Sequence, residues 1–175
     1  MLGVCLPGIS FSWEHYGGDA GGSKFSELDA IDQDNVNQLE VAWTYHTGET
    51  GEGYEQSITF QATPVMWDGK LFFNSTFGKA YAVDAATGVE IWRFDAKFPK
   101  DDRYSESAAR GVSLWHSPLA LDECEHRVLF GDLRGQLHAL AAMTGLPCKS
   151  FGDQGRVDLT VGVGEVDAGD YTLTS

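Results

Sequence analysis

The feature that most limits the fold is an internal repeat. Gly78-Lys-Ala-Tyr-Ala-Val-Asp-Ala-Ala-Thr-Gly-Val-Glu-Ile-Trp-Arg-Phe94 aligns without gaps with Gly135-Gln-Leu-His-Ala-Leu-Ala-Ala-Met-Thr-Gly-Leu-Pro-Cys-Lys-Ser-Phe151, at an offset of 57 residues. Upstream, Lys70-Leu-Phe-Phe73 matches Arg127-Val-Leu-Phe130 at the same offset. Each unit of such a repeat is one supersecondary structure that cannot bury its own apolar faces, so neighbouring units must cover one another.

Within a unit the signals are those of short strands. Val65–Trp67, Lys70–Asn74, Ala80–Asp84 and Glu90–Phe94 are separated by Asp68-Gly69, by the Phe77-Gly78 region and by Ala85-Ala-Thr-Gly88. Asp-Gly between apolar runs marks a hairpin, because glycine tolerates the positive φ of a primed turn. No amphipathic helix breaks the series; Ile31–Leu39 reads as one short helical turn that Asp32 can cap. The class is all-β and antiparallel. Four-stranded sheets repeated radially make a β-propeller. The blade units are about 58–95 and 113–151, and Tyr171–Ser175 reads as the start of another strand. Leu39–Thr47 alternates apolar and polar residues and ends at Gly48, resembling the last strand of a unit without the three strands before it. The expectation is a partial β-propeller: about two blades of four antiparallel strands plus an N-terminal outer strand. Two blades cannot close a ring of the usual size, so the chain reads as an incomplete part.

Composition narrows the function. A hydrophobic content of 42% over 175 residues supports a packed core. A net charge of −14 repels phosphate backbones and argues against nucleic acid as a partner. No apolar run approaches the roughly 20 residues of a membrane-spanning helix. Residues 1–12 form an apolar leader without a basic n-region, read as a signal remnant or as a consequence of where the chain begins. Residues 13–30 read as an irregular surface segment anchored by Trp13, Tyr16 and Phe25. Gly22-Ser-Lys24 lacks the ending of a P-loop. The three cysteines include no Cys-x-x-Cys pair, and no histidine cluster has ligand spacing, so no zinc site is expected. Cys124 and Cys148 open the second and fourth strands of the second unit, at one edge of the sheet. They form either a disulfide or two buried thiols.

An ordered set of stretches carries a family resemblance. These are Tyr16-Gly-Gly-Asp-Ala-Gly-Gly-Ser-Lys-Phe-Ser26, Ile31–Leu39, Val41-Ala-Trp-Thr-Tyr-His-Thr-Gly48, Phe60-Gln-Ala-Thr-Pro64, Ala82-Val-Asp-Ala-Ala-Thr-Gly88 with Ile91-Trp92, Arg110-Gly-Val-Ser113, Val157-Asp-Leu-Thr160 and Tyr171-Thr-Leu-Thr-Ser175. From Trp13 to Ser175 the chain resembles the N-terminal part of PQQ-dependent (quinoprotein) alcohol and glucose dehydrogenases. It is most similar to the glucose/quinate-type and related soluble periplasmic members.

The resemblance implies an eight-bladed ring and a pyrroloquinoline quinone (PQQ) cofactor. Arg110 is then the arginine that faces the anionic quinone, Gln61 touches the cofactor rim and Thr174 lines the pocket. The implied reaction is oxidation of an alcohol or sugar hydroxyl with hydride transfer to the quinone. The implied electron acceptor is a quinone or cytochrome c, and the location is the periplasm. A Ca²⁺ ion is implied with ligands outside this chain, as is the catalytic base. No catalytic residue and no metal ligand is therefore assigned here, and the chain alone is expected to be inactive. Some alcohol-oxidising relatives place adjacent cysteines before this arginine. Tyr104–Arg110 contains none, which favours the glucose/quinate-type branch. His116 reads as an exposed loop histidine. The alternative is a non-catalytic periplasmic β-propeller scaffold, which shares the Asp-x-x-Thr-Gly-x-x-x-Trp turn. It lacks the Tyr16–Asp19 and Arg110–Ser113 elements.

Overall fold

The computed structural model describes residues 12–50, 59–97, 104, 107–118, 124–165, 167 and 170–173. The elements are β1 (Thr59–Thr63), β2 (Val65–Trp67), β3 (Lys70–Ser75), β4 (Lys79–Asp84), β5 (Glu90–Asp95), β6 (Ala108–Gly111), β7 (Ser113–His116), β8 (His126–Gly131), β9 (Gln136–Ala141) and β10 (Arg156–Asp158). A single 3-10 turn at Val36–Gln38 is the helical element among the described residues.

Two four-stranded antiparallel sheets form, ordered β2-β3-β4-β5 and β7-β8-β9-β10. The turns behave as their residues require. Asp68 and Gly69 both have positive φ, 49° and 69°, and the β2–β3 ladder closes directly on them at Trp67 and Lys70. The β4–β5 turn is held by the Asp84 carboxylate, which accepts from the backbone N–H of Ala86 and Thr87 and from the Thr87 hydroxyl. These bonds, the Thr87 hydroxyl foremost, hold the Asp84 carboxyl below its ordinary pKa.

Each sheet is apolar on both faces, because each is sandwiched. The alternation of side chains splits every strand between two clusters. Phe72, Ala80, Ala82 and Trp92 of the first sheet meet Val128, Phe130 and Leu140 of the second in one core. Phe73, Tyr81 and Val83 point the other way, toward Trp43 and Tyr45. On the far face of the second sheet, Ala139 and Ala141 pack with Cys124 and Cys148. Cys124 and Cys148 are joined as a disulfide, with Cα atoms 5.7 Å apart.

The same tryptophan contact recurs at two interfaces. The Trp92 indole N–H donates to the Ala142 carbonyl at 2.9 Å, and the ring lies against Gly145. The Trp43 indole N–H donates to the Ala85 carbonyl at 3.2 Å, and its ring lies against Gly88. Ala85 and Ala142, like Gly88 and Gly145, are partners in the 57-residue repeat. Both glycines have positive φ, and a Cβ on either would stand within 2.6 Å of an indole carbon. The repeated turn is thus a seat for a tryptophan from the preceding unit.

Three points refine the expectation. First, Leu39–Thr47 is extended and has no ladder partner among the described residues, as an outer strand without the other three of its unit would. It docks on the first sheet through Trp43 and Tyr45. The Tyr45 hydroxyl bonds the Glu90 carboxylate, which also takes two N–H bonds from Arg93. Burial and then the Glu90 bond push the Tyr45 phenol well above its ordinary pKa. Second, the outer strand of the second sheet is β10, not a run opening at Cys148. The chain pairs with β9 through Leu146 and Cys148, then loops out, and the ladder resumes at Arg156. Gly152, Gln154 and Gly155 in that loop all have positive φ. Third, Trp13 anchors the N-terminal segment by two backbone bonds of 2.8 Å to Met66, whereas Tyr16 and Phe25 are 67% and 70% exposed.

Candidate functional site

β1 and β6 lead into β2 and β7, the first strands and edges of the two sheets, and they lie side by side. They pair in parallel, Thr59 with Ala108, Phe60 with Ala109 and Thr63 with Gly111. The register slips between Phe60 and Thr63, the stretch that contains Gln61. Gly111 ends β6 with φ 139°, a value that favours glycine, where the chain turns into β7.

The arrangement opens a cleft of about 370 Å³ lined by Tyr16, Gln61, Thr63, Arg110, Val112 and Ser113, with Gly111 and Leu129 completing it. The structure therefore brings Gln61 and Arg110 together from strands that are distant in sequence. Both side chains are exposed to the cleft and solvent. Thr174, the third residue the resemblance implies, lies outside the described residues. Its neighbour Leu173 donates its N–H to the Asp132 carbonyl at 3.0 Å and packs on Gly131, at the end of β8.

Three hydroxyl-bearing residues in the cleft were not assigned to the cofactor from sequence: Tyr16, read there as an anchor, Thr63 and Ser113. Each stands in or beside a quoted stretch, but only the β1–β6 pairing and the Trp13–Met66 bridge show that they converge. Lys24 sits 5.3 Å from the centre of the Tyr16 ring. No carboxylate is among the described lining residues. In a chain of net charge −14, this is a local site suited to an anion.

A second cavity of about 490 Å³ lies between residues 43–50 and the first sheet. Its walls mix aromatic rings (Trp43, Tyr45, Phe60, Phe73) with polar residues, and Glu49, its buried acid, is paired with Lys79 at 3.3 Å. Its exposed polar residues, His46 and Thr50, come from one edge, and it holds no arginine or lysine among its described lining residues to match Arg110 in the first cleft.

A third grouping departs from the expectation that no histidines cluster. The β7–β8 ladder pairs His116 with His126, and Glu125 stands beside them. His116 is thus at a strand end, away from the cleft, and not in a loop.

Comparison with known proteins decides the family. The model for the "glucose/ethanol/alcohol dehydrogenase, beta-propeller domain" of PQQ proteins matches residues 13–175. The chain belongs to this quinoprotein β-propeller family. It is 34% identical over 171 residues to the quinate/shikimate dehydrogenase (quinone) of Acinetobacter baylyi, covering 88% of this chain and 21% of that protein. It is 29% identical to the quinoprotein glucose dehydrogenase of Escherichia coli, covering 93% of this chain and 21% of the relative. Among solved structures, the quinohemoprotein alcohol dehydrogenase of Comamonas testosteroni superposes with a TM-score of 0.64 at 28% identity, over 87% of this chain and 20% of that one. The chain spans about a fifth of the length of these relatives. Its two sheets are a partial quinoprotein propeller. The matched range includes the Tyr16–Asp19 and Arg110–Ser113 elements on which the dehydrogenase and scaffold readings differ.

Proposed function

We propose that this chain is part of a PQQ-dependent dehydrogenase that oxidises an alcohol or sugar hydroxyl, and that it supplies one wall of the cofactor cleft. The observation that carries this reading is the convergence of Arg110 and Gln61 on a cleft with no carboxylate among its described lining residues.

The lining suits the group. PQQ is a flat tricarboxylate with an ortho-quinone. Arg110 offers a fork of N–H donors that bind carboxylate or quinone oxygen with charge assistance. The Gln61 amide and the hydroxyls of Tyr16, Thr63 and Ser113 add neutral donors, while Val112 and Leu129 provide an apolar surface. When bound, PQQ supplies the electron sink for hydride removed from the substrate carbon. Arg110 holds and orients that anion and draws electron density toward its oxygens. Gln61 fixes the rim. Thr174 is the further contact in this reading.

No described lining residue is a carboxylate that could take the substrate proton. The base and the oxygen ligands for Ca²⁺ belong to other parts of the ring in this reading. A quinone or cytochrome c is proposed as electron acceptor and the periplasm as location. The Cys124–Cys148 disulfide supports an oxidising compartment.

The test is dye reduction by a protein carrying this chain within its complete ring, assayed with alcohols, sugars and polyhydroxy acids, with and without PQQ and Ca²⁺. PQQ-dependent turnover supports the reading. Absence of any PQQ-dependent turnover across the panel overturns it.

A further inference from the structure

We propose that His116, Glu125 and His126 form a binding site for a divalent transition-metal ion of the zinc type. The three ligand atoms lie within 4.8 Å of one another. β7 ends at His116, β8 opens at His126, and the ladder pairs the two directly. Beyond the pair, the Ser117 N–H donates to the Glu125 carbonyl at 2.8 Å, which closes the hairpin end and sets Glu125 beside the rings.

The group is organised before any ion arrives. The His116 and His126 rings stack at 4.3 Å, and His126 also stacks on Trp67 at 4.0 Å. Glu125 Oε1 is 3.1 Å from His116 Nε2. The neighbouring residue Cys124 is tied by its disulfide to Cys148, which fixes the backbone entering Glu125. Glu14 lines the same small pocket and adds a second carboxylate. Arg127, which lines the same pocket, has its guanidinium engaged elsewhere: Nε donates to the Cys124 carbonyl at 2.9 Å and the group lies 4.6 Å over the Trp115 ring.

The donor set chooses the ion. Two imidazole nitrogens and one carboxylate oxygen suit Zn²⁺, whereas Ca²⁺ and Mg²⁺ take oxygen. Tetrahedral zinc with bonds of about 2.0–2.1 Å needs its donors somewhat closer than they stand. The His116 and Glu125 side chains, 50% and 44% exposed, have room to turn inward. Their mutual hydrogen bond is then exchanged for two bonds to the metal, with the fourth position left to water or Glu14. His116 ends β7 whereas Arg110 lies on β6, and the pocket at His116 and His126 shares no lining residue with the cleft at Gln61 and Arg110. The site is therefore separate from the cofactor cleft and does not rest on the PQQ reading. Its effect is to staple the end of the β7–β8 hairpin.

The test uses the 175-residue chain, stripped with chelator and titrated with Zn²⁺ by calorimetry and with Co²⁺ by visible absorption. The expected result is one ion per chain, low-symmetry Co²⁺ d–d bands and a Tm that rises with Zn²⁺. His116→Gln and Glu125→Gln should each weaken Zn²⁺ binding at least tenfold, with His46→Gln as an unaffected control. Circular dichroism establishes that each variant is folded, and Glu125→Gln carries the test if His116→Gln is not. No Zn²⁺ binding, or binding that the folded variants leave unchanged, overturns the proposal.

Discussion

Trp92 and Gly145 meet across the interface between the two sheets, so a double-mutant cycle on this pair tests the radial packing of the repeat. Trp92 is 7% exposed, and its indole N–H bonds the carbonyl of the fully buried Ala142. Trp92→Ala should cost about 3–5 kcal/mol, of which about 1–3 kcal/mol is the unpaired Ala142 carbonyl. Gly145→Ala acts through two effects. Its φ of 70° costs an alanine about 1–2 kcal/mol. The new Cβ also stands 2.6 Å from Trp92 Cδ2, adding about 1–3 kcal/mol of overpacking. Removing Trp92 abolishes the clash and leaves the backbone strain. The double variant should therefore be less destabilised than the sum of the singles by about 1–3 kcal/mol. Urea unfolding of the 175-residue chain, followed by circular dichroism, measures each corner of the cycle. Additivity within about 0.5 kcal/mol would refute the inferred contact between the sheets.

Two further predictions concern stability. Reducing the Cys124–Cys148 bridge, which closes a loop of sequence separation 24, should lower the unfolding free energy by about 3 kcal/mol on the chain-entropy estimate. An unchanged urea midpoint in reductant would contradict a formed, constraining bridge. Glu90 titrates below its ordinary value: partial burial raises it, but the bonds from Tyr45 and Arg93 prevail. A depressed folded pKa contributes stability above the unfolded pKa and loses it as pH falls through the folded one. Stability should thus fall on acidification below about pH 4–5. Glu90→Gln should make the fall shallower than in wild type, since Asp84 and Asp158, also depressed, remain. Parallel pH profiles for the two proteins would remove Glu90 from the linkage.

Much of the fold is legible in the chain because local chemistry and global packing agree. The Asp68-Gly69 turn, the Asp84–Gly88 turn and the apolar runs of β3 and β4 each state their structure within a few residues. The recurrence of that turn at Ala141–Gly145 then implies a second sheet. What the chain does not state locally is pairing over distance. β1 and β6 join in parallel from segments far apart, with no hairpin to announce them, so the convergence of Tyr16, Thr63 and Ser113 on Gln61 and Arg110 appears only in three dimensions. Leu39–Thr47 carries the pattern of an outer strand, and its docking on the first sheet through Trp43 and Tyr45 likewise appears only in three dimensions. The second unit departs from the first at Lys149, where the repeat would place Trp92. The disulfide and the positive-φ loop after it displace the outer strand to β10. His116 and His126 are ten residues apart, a spacing that shows no ligand pattern until strand register sets them opposite each other.

The most direct test of the cofactor role is the affinity of PQQ for the ligand-free protein that carries this chain within its complete ring, compared with its Arg110→Ala variant. Loss of a charge-assisted contact worth about 1.5–3 kcal/mol corresponds to a Kd increase of roughly 10- to 150-fold, with Arg110→Lys recovering only part of it. An Arg110→Ala protein that is folded and binds PQQ as tightly as wild type would contradict the assignment of this guanidinium to the quinone.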